Sequence, residues 1–158
     1  MREGMIRPSI LFVCLGNICR SPLAEGAFRD AARTAGLDVQ IDSAGTGAWH
    51  IGKAPDVRAI RTAARHGVDI SGLRARQISG ADFERFTHIL ALDAENLANI
   101  RGMAPVGHGA EIGLLLDMVD GRAWQAVADP YYGDESGFEA TWTDVSAAAQ
   151  ALIARLSD

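Results

Sequence analysis

Ser9-Ile10-Leu11-Phe12-Val13-Cys14-Leu15-Gly16-Asn17-Ile18-Cys19-Arg20-Ser21-Pro22 reads as a strand, a turning loop and the start of a helix. Ser9 to Val13 is a short apolar run, the pattern of a parallel strand buried on both faces. Cys14 to Ser21 is polar and contains a glycine. Pro22 then stands where a helix accepts a first-turn proline, with Ser21 as the expected N-cap. The helix is expected to reach Ala35 and stop at Gly36.

The same alternation continues outward. Val39 to Ser43 reads as a second strand, and Ala44 to Ala54 as loop. Asp56 to His66 reads as a helix with Val57, Ile60 and Ala64 on one face and Gly67 as its stop. Thr87 to Leu92 is a third strand, Asp93 to Ile100 a short helix, and Glu111 to Leu116 a fourth strand. Phe138, Trp142, Val145, Ala149, Leu152 and Leu156 recur at the spacing of a helix with one buried face. Ser136 and Glu139 fit a capping box at its start. Strands alternating with helices predict βαβ units, an α/β fold with a parallel sheet and helices on both faces. With no repeat, linker or low-complexity tract, residues 1–158 read as a single domain.

Composition narrows the function classes. The 158 residues are 48% hydrophobic and 22% charged, as in a globular protein rather than a disordered or collagenous one. The net charge of −5 argues against general nucleic-acid binding. Arg58, Arg61, Arg65, Arg74 and Arg76 form one charged cluster. Asp117, Asp120, Asp129, Asp134, Glu135, Glu139 and Asp144 form another, and both read as solvated surface. No stretch reaches the roughly 20 apolar residues of a membrane span. Two cysteines, Cys14 and Cys19, are too few for a secreted disulfide framework. A cytoplasmic monomer without membrane or nucleic-acid partners is the expectation.

The loop after the first strand carries the chemistry. Open α/β sheets bind ligands outside the carboxyl ends of their strands. A loop that leaves a buried strand and opens a helix can turn its N–H groups, from Leu15 to Ser21, toward one anion. Gly16 and Asn17 tolerate the positive φ that such turning needs. Those N–H groups would stabilise a Cys14 thiolate, as in other reactive cysteines. Arg20 is placed to reach back, its planar fork matching two oxygens of a phosphate. A thiolate below an oxyanion cradle suits attack on phosphorus and a phosphocysteine intermediate. The leaving oxygen then needs a proton. Asp129, in Asp129-Pro130-Tyr131-Tyr132-Gly133, is the candidate general acid, and its protonation would favour mildly acidic pH. Tyr131 and Tyr132 could line an aromatic pocket.

Val13-Cys14-Leu15-Gly16-Asn17-Ile18-Cys19-Arg20-Ser21-Pro22 together with Asp129-Pro130-Tyr131-Tyr132 resembles the low-molecular-weight protein tyrosine phosphatases. Asp42 to Thr46, Arg65-His66-Gly67 and Ala75-Arg76-Gln77-Ile78 look like further signatures of that family in their expected order, so the resemblance covers nearly the whole chain. It implies a Rossmann-like domain of three layers, a four-stranded parallel sheet flanked by helices. It implies Cys14 as nucleophile, Arg20 as phosphate binder and Asp129 as general acid and base. Ser21 would hydrogen-bond the thiolate, and Asn17 would hold the loop with help from Ser43 and His66. Trp49, Tyr131 and Tyr132 would wall the pocket. Cys14 and Cys19 would pair under oxidation, sparing the nucleophile from irreversible sulfinic acid. The substrate would be a phosphotyrosine protein or peptide, with no metal and no organic cofactor.

Neighbouring chemistries fare less well. Thioredoxin-coupled arsenate reductases relay oxidation to later cysteines, and this chain has none after Cys19. Relatives acting on phosphoarginine carry threonine where Ile18 stands, and an apolar side chain suits an aromatic ring better than a guanidinium. A two-cysteine redox sensor stays open as an alternative. A phosphate-binding module without turnover would need neither nucleophile nor acid. Nucleotide-binding glycine motifs and paired zinc-type cysteines are absent from the sequence.

Overall fold

The computed structural model describes residues 7–157. Four parallel strands form one sheet: β1 (Ser9–Cys14), β2 (Gln40–Gly45), β3 (His88–Ala91) and β4 (Glu111–Leu114). Their order is β2-β1-β3-β4, so β1 is central and its carboxyl end lies between those of β2 and β3. The helices are α1 (Arg20–Ala35), α2 (Val57–Arg65), α3 (Asp82–Arg85), α4 (Ala94–Met103) and α5 (Glu135–Leu156).

The apolar run in β1 is buried throughout because both sheet faces are covered. Ile10, Phe12 and Cys14 point into one core with Leu23 and Phe28 of α1 and Phe138, Trp142 and Val145 of α5. Leu11 and Val13 point into the opposite core with Phe83, Phe86, Leu97 and Ile100. Phe12 and Phe28 meet edge to face at 5.7 Å. Burying each such ring contributes roughly 1.5–3 kcal/mol. The expected α/β arrangement is therefore the observed one: helices on both faces of a parallel sheet.

Element ends depart from expectation where tertiary contacts outbid local signals. The first helix begins at Arg20, and Cys19 holds the cap position without a side-chain cap bond. Ser21 is not the N-cap, because its hydroxyl is 3.0 Å from Cys14 Sγ. Gly36 does end that helix, at φ 67°. The final helix is capped by Asp134, whose carboxylate accepts the Ser136 N–H, rather than by a Ser136–Glu139 box. Glu139 instead meets Arg65, which offers a charge where the box offers only an N–H, and hydrogen-bonds His66. The fourth strand stops at Leu114, and Leu115–Met118 turns into a 3-10 helix that buries Leu115 and Leu116.

The two charged clusters are partners in part. Arg61 and Arg65 of α2 face Glu135 and Glu139 of α5. Arg122 meets Asp144, and Arg76 meets Asp42 and Asp82.

Candidate active site

Cys14 ends β1, and the chain from Leu15 to Cys19 arches over the carboxyl end of the sheet before α1 begins. Asn17 takes the left-handed conformation, at φ 58°, that asparagine tolerates better than most residues. Gly16 does not; a Cβ there would lie 3.0 Å from the His50 ring, which would have to give by a few tenths of an ångström. The N–H groups of Leu15, Gly16, Ile18, Cys19 and Arg20 make no hydrogen bond to another described residue. They stand at the N-terminus of a 16-residue helix, where partial positive charge and unspent donors coincide.

The Cys14 sulfur is buried at the base of this arch. The Asn17 N–H donates to it at 3.3 Å, and the Ser21 hydroxyl lies 3.0 Å away. Asn17 is buried and fully engaged. Its Nδ2 donates to Ser21 Oγ at 2.8 Å and to Ser43 Oγ at 3.0 Å, while its Oδ1 accepts the Arg76 N–H at 3.0 Å. Ser43 in turn donates to Glu25 at 2.7 Å. His66 does not join this network. It bonds Glu139 at 2.8 Å and stacks on Trp142, because the α2–α5 contact draws it to that side of the molecule. The third support of Asn17 is the Arg76 backbone.

Arg20 is 4% exposed, and its guanidinium is held from behind. Nη1 donates to Asp93 Oδ2 at 2.7 Å and to the Val127 carbonyl at 2.9 Å. Nη2 has Asp129 Oδ2 at 3.8 Å, beyond hydrogen-bond reach, so that edge of the fork is open. Asp93 also accepts the Asn96 N–H as the N-cap of α4. Asp129 accepts the Tyr131 N–H at 3.1 Å and is partly exposed. Arg58 of α2 ties down the segment that carries it, donating to the carbonyls of Tyr131 and Gly133.

A cleft of about 310 Å³ unites these groups. Cys14 and Arg20 lie in its lining with Leu15, Gly16, Ile18 and Cys19, and Asp129 borders it from the other side. Trp49, His50, Tyr131 and Tyr132 complete the wall. Trp49 is 71% exposed and Tyr132 93%, so both aromatic faces are available to a ligand rather than spent on the core. Both cysteines are free thiols, and burial pushes the Cys19 thiol well above its usual titration range, with Asp56 adding to the effect. Among the described residues no cluster of three His, Cys, Asp or Glu could hold a metal ion, and no helix is long and apolar enough to cross a membrane.

Asp93, Glu25, Arg58 and the Arg76 backbone were not expected at the site. Only Asp93 has a readable signal: an aspartate at the end of the third strand, three residues before Asn96 and at the start of a helix.

A central-strand cysteine thus lies beneath unspent N–H groups, with an arginine pinned beside it, at the carboxyl end of a parallel α/β sheet. The family model described as low molecular weight phosphotyrosine protein phosphatase matches residues 9–158. A phosphatase of that name from Schizosaccharomyces pombe is 45% identical over 132 residues, covering 82% of this chain and 84% of the relative. The low molecular weight protein-tyrosine-phosphatase YfkJ of Bacillus subtilis is 42% identical over 150 residues, 94% of this chain and 95% of the relative. The YfkJ crystal structure superposes with a TM-score of 0.89 at 40% identity, covering 98% of both chains. A solved structure described as a Drosophila arginine phosphatase also superposes at 0.89, with 29% identity, 94% of this chain and 98% of that one. The chain belongs to the low-molecular-weight protein tyrosine phosphatase family, and it is an enzyme of that class.

Proposed function

We propose that this enzyme hydrolyses phosphotyrosine monoesters of proteins or peptides through a phosphocysteine intermediate on Cys14. The sulfur attacks phosphorus as the phosphorus–oxygen bond to the tyrosine breaks. Asp129, protonated for this step, gives its proton to the departing phenolate oxygen. Water then attacks phosphorus, the phosphorus–sulfur bond breaks, and Asp129 takes the proton that water releases. The free edge of Arg20 and the N–H groups of Leu15, Gly16, Ile18, Cys19 and Arg20 hold the three transferred oxygens, as preorganised donors do where charge develops.

The observation that carries this reading is the surroundings of the Cys14 sulfur. It sits in the cleft with the Asn17 N–H at 3.3 Å and the Ser21 hydroxyl at 3.0 Å. Hydrogen-bond donors around a sulfur stabilise a thiolate both as attacking and as leaving group. Selectivity for tyrosine follows from depth. A phenyl ring spans the distance from a peptide at the mouth to phosphate at the floor, flanked by Ile18, Trp49 and Tyr131, whereas a serine methylene is too short.

The test is kcat/KM of the reduced, metal-free protein on matched phosphotyrosine, phosphoserine and phosphoarginine peptides at mildly acidic pH. Phosphotyrosine is expected to lead, and Cys14→Ser to abolish turnover while still binding vanadate or phosphate. A lead for phosphoarginine would place the chain functionally with the arginine phosphatase of the same fold. Retained turnover in Cys14→Ser would end the covalent mechanism. Absence of turnover on all three substrates would leave the two-cysteine redox-sensor reading.

A further inference from the structure

A buried hydrogen-bond chain runs from Glu25 of α1 to the nucleophile. Glu25 lies in α1 and is 2% exposed, with one carboxylate oxygen accepting from Arg29 at 2.7 Å and the other from Ser43 at 2.7 Å. The chain continues through Ser43 Oγ, Asn17 Nδ2 and Ser21 Oγ to Cys14 Sγ, in steps of 3.0, 2.8 and 3.0 Å.

The chemistry of its members gives this chain a direction. An ionised carboxylate only accepts, so the Ser43 hydroxyl hydrogen is committed to Glu25 and its lone pair faces Asn17. The Arg76 N–H only donates, so it fixes Oδ1 of Asn17 and leaves Nδ2 for the two serines. Ser21 Oγ already accepts from Asn17, so its own hydrogen is left for the sulfur. If Glu25 were neutral, its proton could point at Ser43, the Ser43 hydrogen would compete with the Asn17 amide, and the order would be lost.

We propose that Glu25 is a positioning residue for the reaction at Cys14, setting the direction of this chain so that the Ser21 hydroxyl hydrogen is aimed at the sulfur. The inference rests on Cys14 being the nucleophile. Glu25 is faced by Arg29 from its own helix and by Asp42 and Ser43 from β2, with Arg76 beyond Asp42. Burial holds its carboxyl above the ordinary glutamate value, while Ser43 and Arg29 pull it back down. A carboxylate kept in so unfavourable a place without contact with the cleft is accounted for by its effect along the chain.

The test compares wild type with Glu25→Gln, Ser43→Ala and the double variant. Three quantities are measured: the pH dependence of iodoacetamide alkylation of Cys14, read by peptide mapping; kcat and KM on an aryl phosphate; and thermal unfolding. Arg20, Asp129, Cys19 and His50 also surround Cys14, and all are unchanged in these variants. Each single variant is expected to slow Cys14 alkylation at pH 6 by about tenfold and to displace its rise toward higher pH. The fall in kcat is expected to be similar, with KM within about threefold, and the double variant should be no worse than Ser43→Ala alone. If Glu25→Gln does not fold, Glu25→Asp replaces it, its shorter side chain breaking the 2.7 Å bond to Ser43. An unchanged alkylation profile beside a lowered Tm would overturn the proposal, as would additive losses in the double variant. If wild-type Cys14 is alkylated no faster than Cys19, or Cys14→Ser retains turnover, the nucleophile assignment itself fails and the positioning role with it.

Discussion

Asp93→Asn separates two jobs that one carboxylate performs. Asp93 Oδ2 accepts from Arg20 at 2.7 Å, and Oδ1 accepts the Asn96 N–H at 2.8 Å as the cap of α4. Asparagine caps a helix about as well as aspartate, so Oδ1 and the cap survive. The amide nitrogen, however, then confronts Arg20 Nη1, a donor facing a donor. A hydrogen bond between charged partners contributes about 1.5–3 kcal/mol. Asp93 is 24% exposed, which favours the lower part of that range. At about 1.4 kcal/mol per decade, a loss of 1.5–2 kcal/mol is a fall of roughly 10- to 30-fold.

That loss should appear in kcat rather than KM, because a fork turned out of line fails the transition state before it fails ground-state binding. Removing a negative charge near the cleft also favours anion binding, which holds KM and the inhibition constant for inorganic phosphate near wild type. The assay is steady-state kinetics on an aryl phosphate, with phosphate inhibition and thermal unfolding in parallel. Asp93→Ala is the companion: it loses the cap as well and should cost about 1 kcal/mol of stability, or some 2–4 °C in Tm. A kcat for Asp93→Asn within twofold of wild type would refute the idea that Asp93 aligns Arg20.

Other perturbations probe the rest of the site. Asp129→Ala should slow aryl phosphates with poor leaving groups far more than activated ones, and equal losses would remove Asp129 from its proton-donor role. Gly45→Ala would place a Cβ 2.8 Å from the Leu15 carbonyl, so the loop must shift; a fall in kcat/KM of about 10- to 100-fold with a folded protein is expected from kinetics and circular dichroism. Glu139 is held below the ordinary glutamate value of 4.5, first by its bond to His66 and then by Arg65. A depressed carboxylate contributes stability that is present above 4.5 and lost as pH falls through its lower folded-state value. Tm curves of wild type and Glu139→Gln should therefore separate above that pH and converge in acid, and parallel curves would deny the α2–α5 clasp its role.

The legible part of this molecule is the part whose partners are close in sequence. Cys14, Asn17, Arg20 and Ser21 lie within one strand–loop–helix turn, so local geometry brings them together and residue type alone suggests an anion cradle. The last helix was readable because its buried face repeats over 22 residues. Its cap was not, because Asp134 and Ser136 are both good caps and the choice depends on Arg65 and His66 drawing Glu139 away. His66 sits beside Gly67 in a family signature, which says nothing about the direction of its ring; stacking on Trp142 decides that. Nothing in the local sequence marks Glu25. Only the approach of β2, carrying Ser43, makes it buried.

The two aspartates at the cleft differ through what each touches. Asp93 is bound to Arg20 and to the start of α4, so it neutralises the guanidinium in the resting site and keeps it still. Arg20 then contributes direction more than net charge, and a bound phosphate must be held largely by N–H dipoles and the start of α1. On the proposed reaction, the phosphate and the thiolate already crowd negative charge beneath that cradle. A second free carboxylate at the cleft would oppose binding. Asp129 stands in front, its Oδ2 3.8 Å from Arg20 Nη2 and its Oδ1 accepting the Tyr131 N–H. In the proposed mechanism a proton on Asp129 would both remove that repulsion and be the one the phenolate takes as it leaves, so that one aspartate behind Arg20 and the other in front would make binding and proton donation a single requirement.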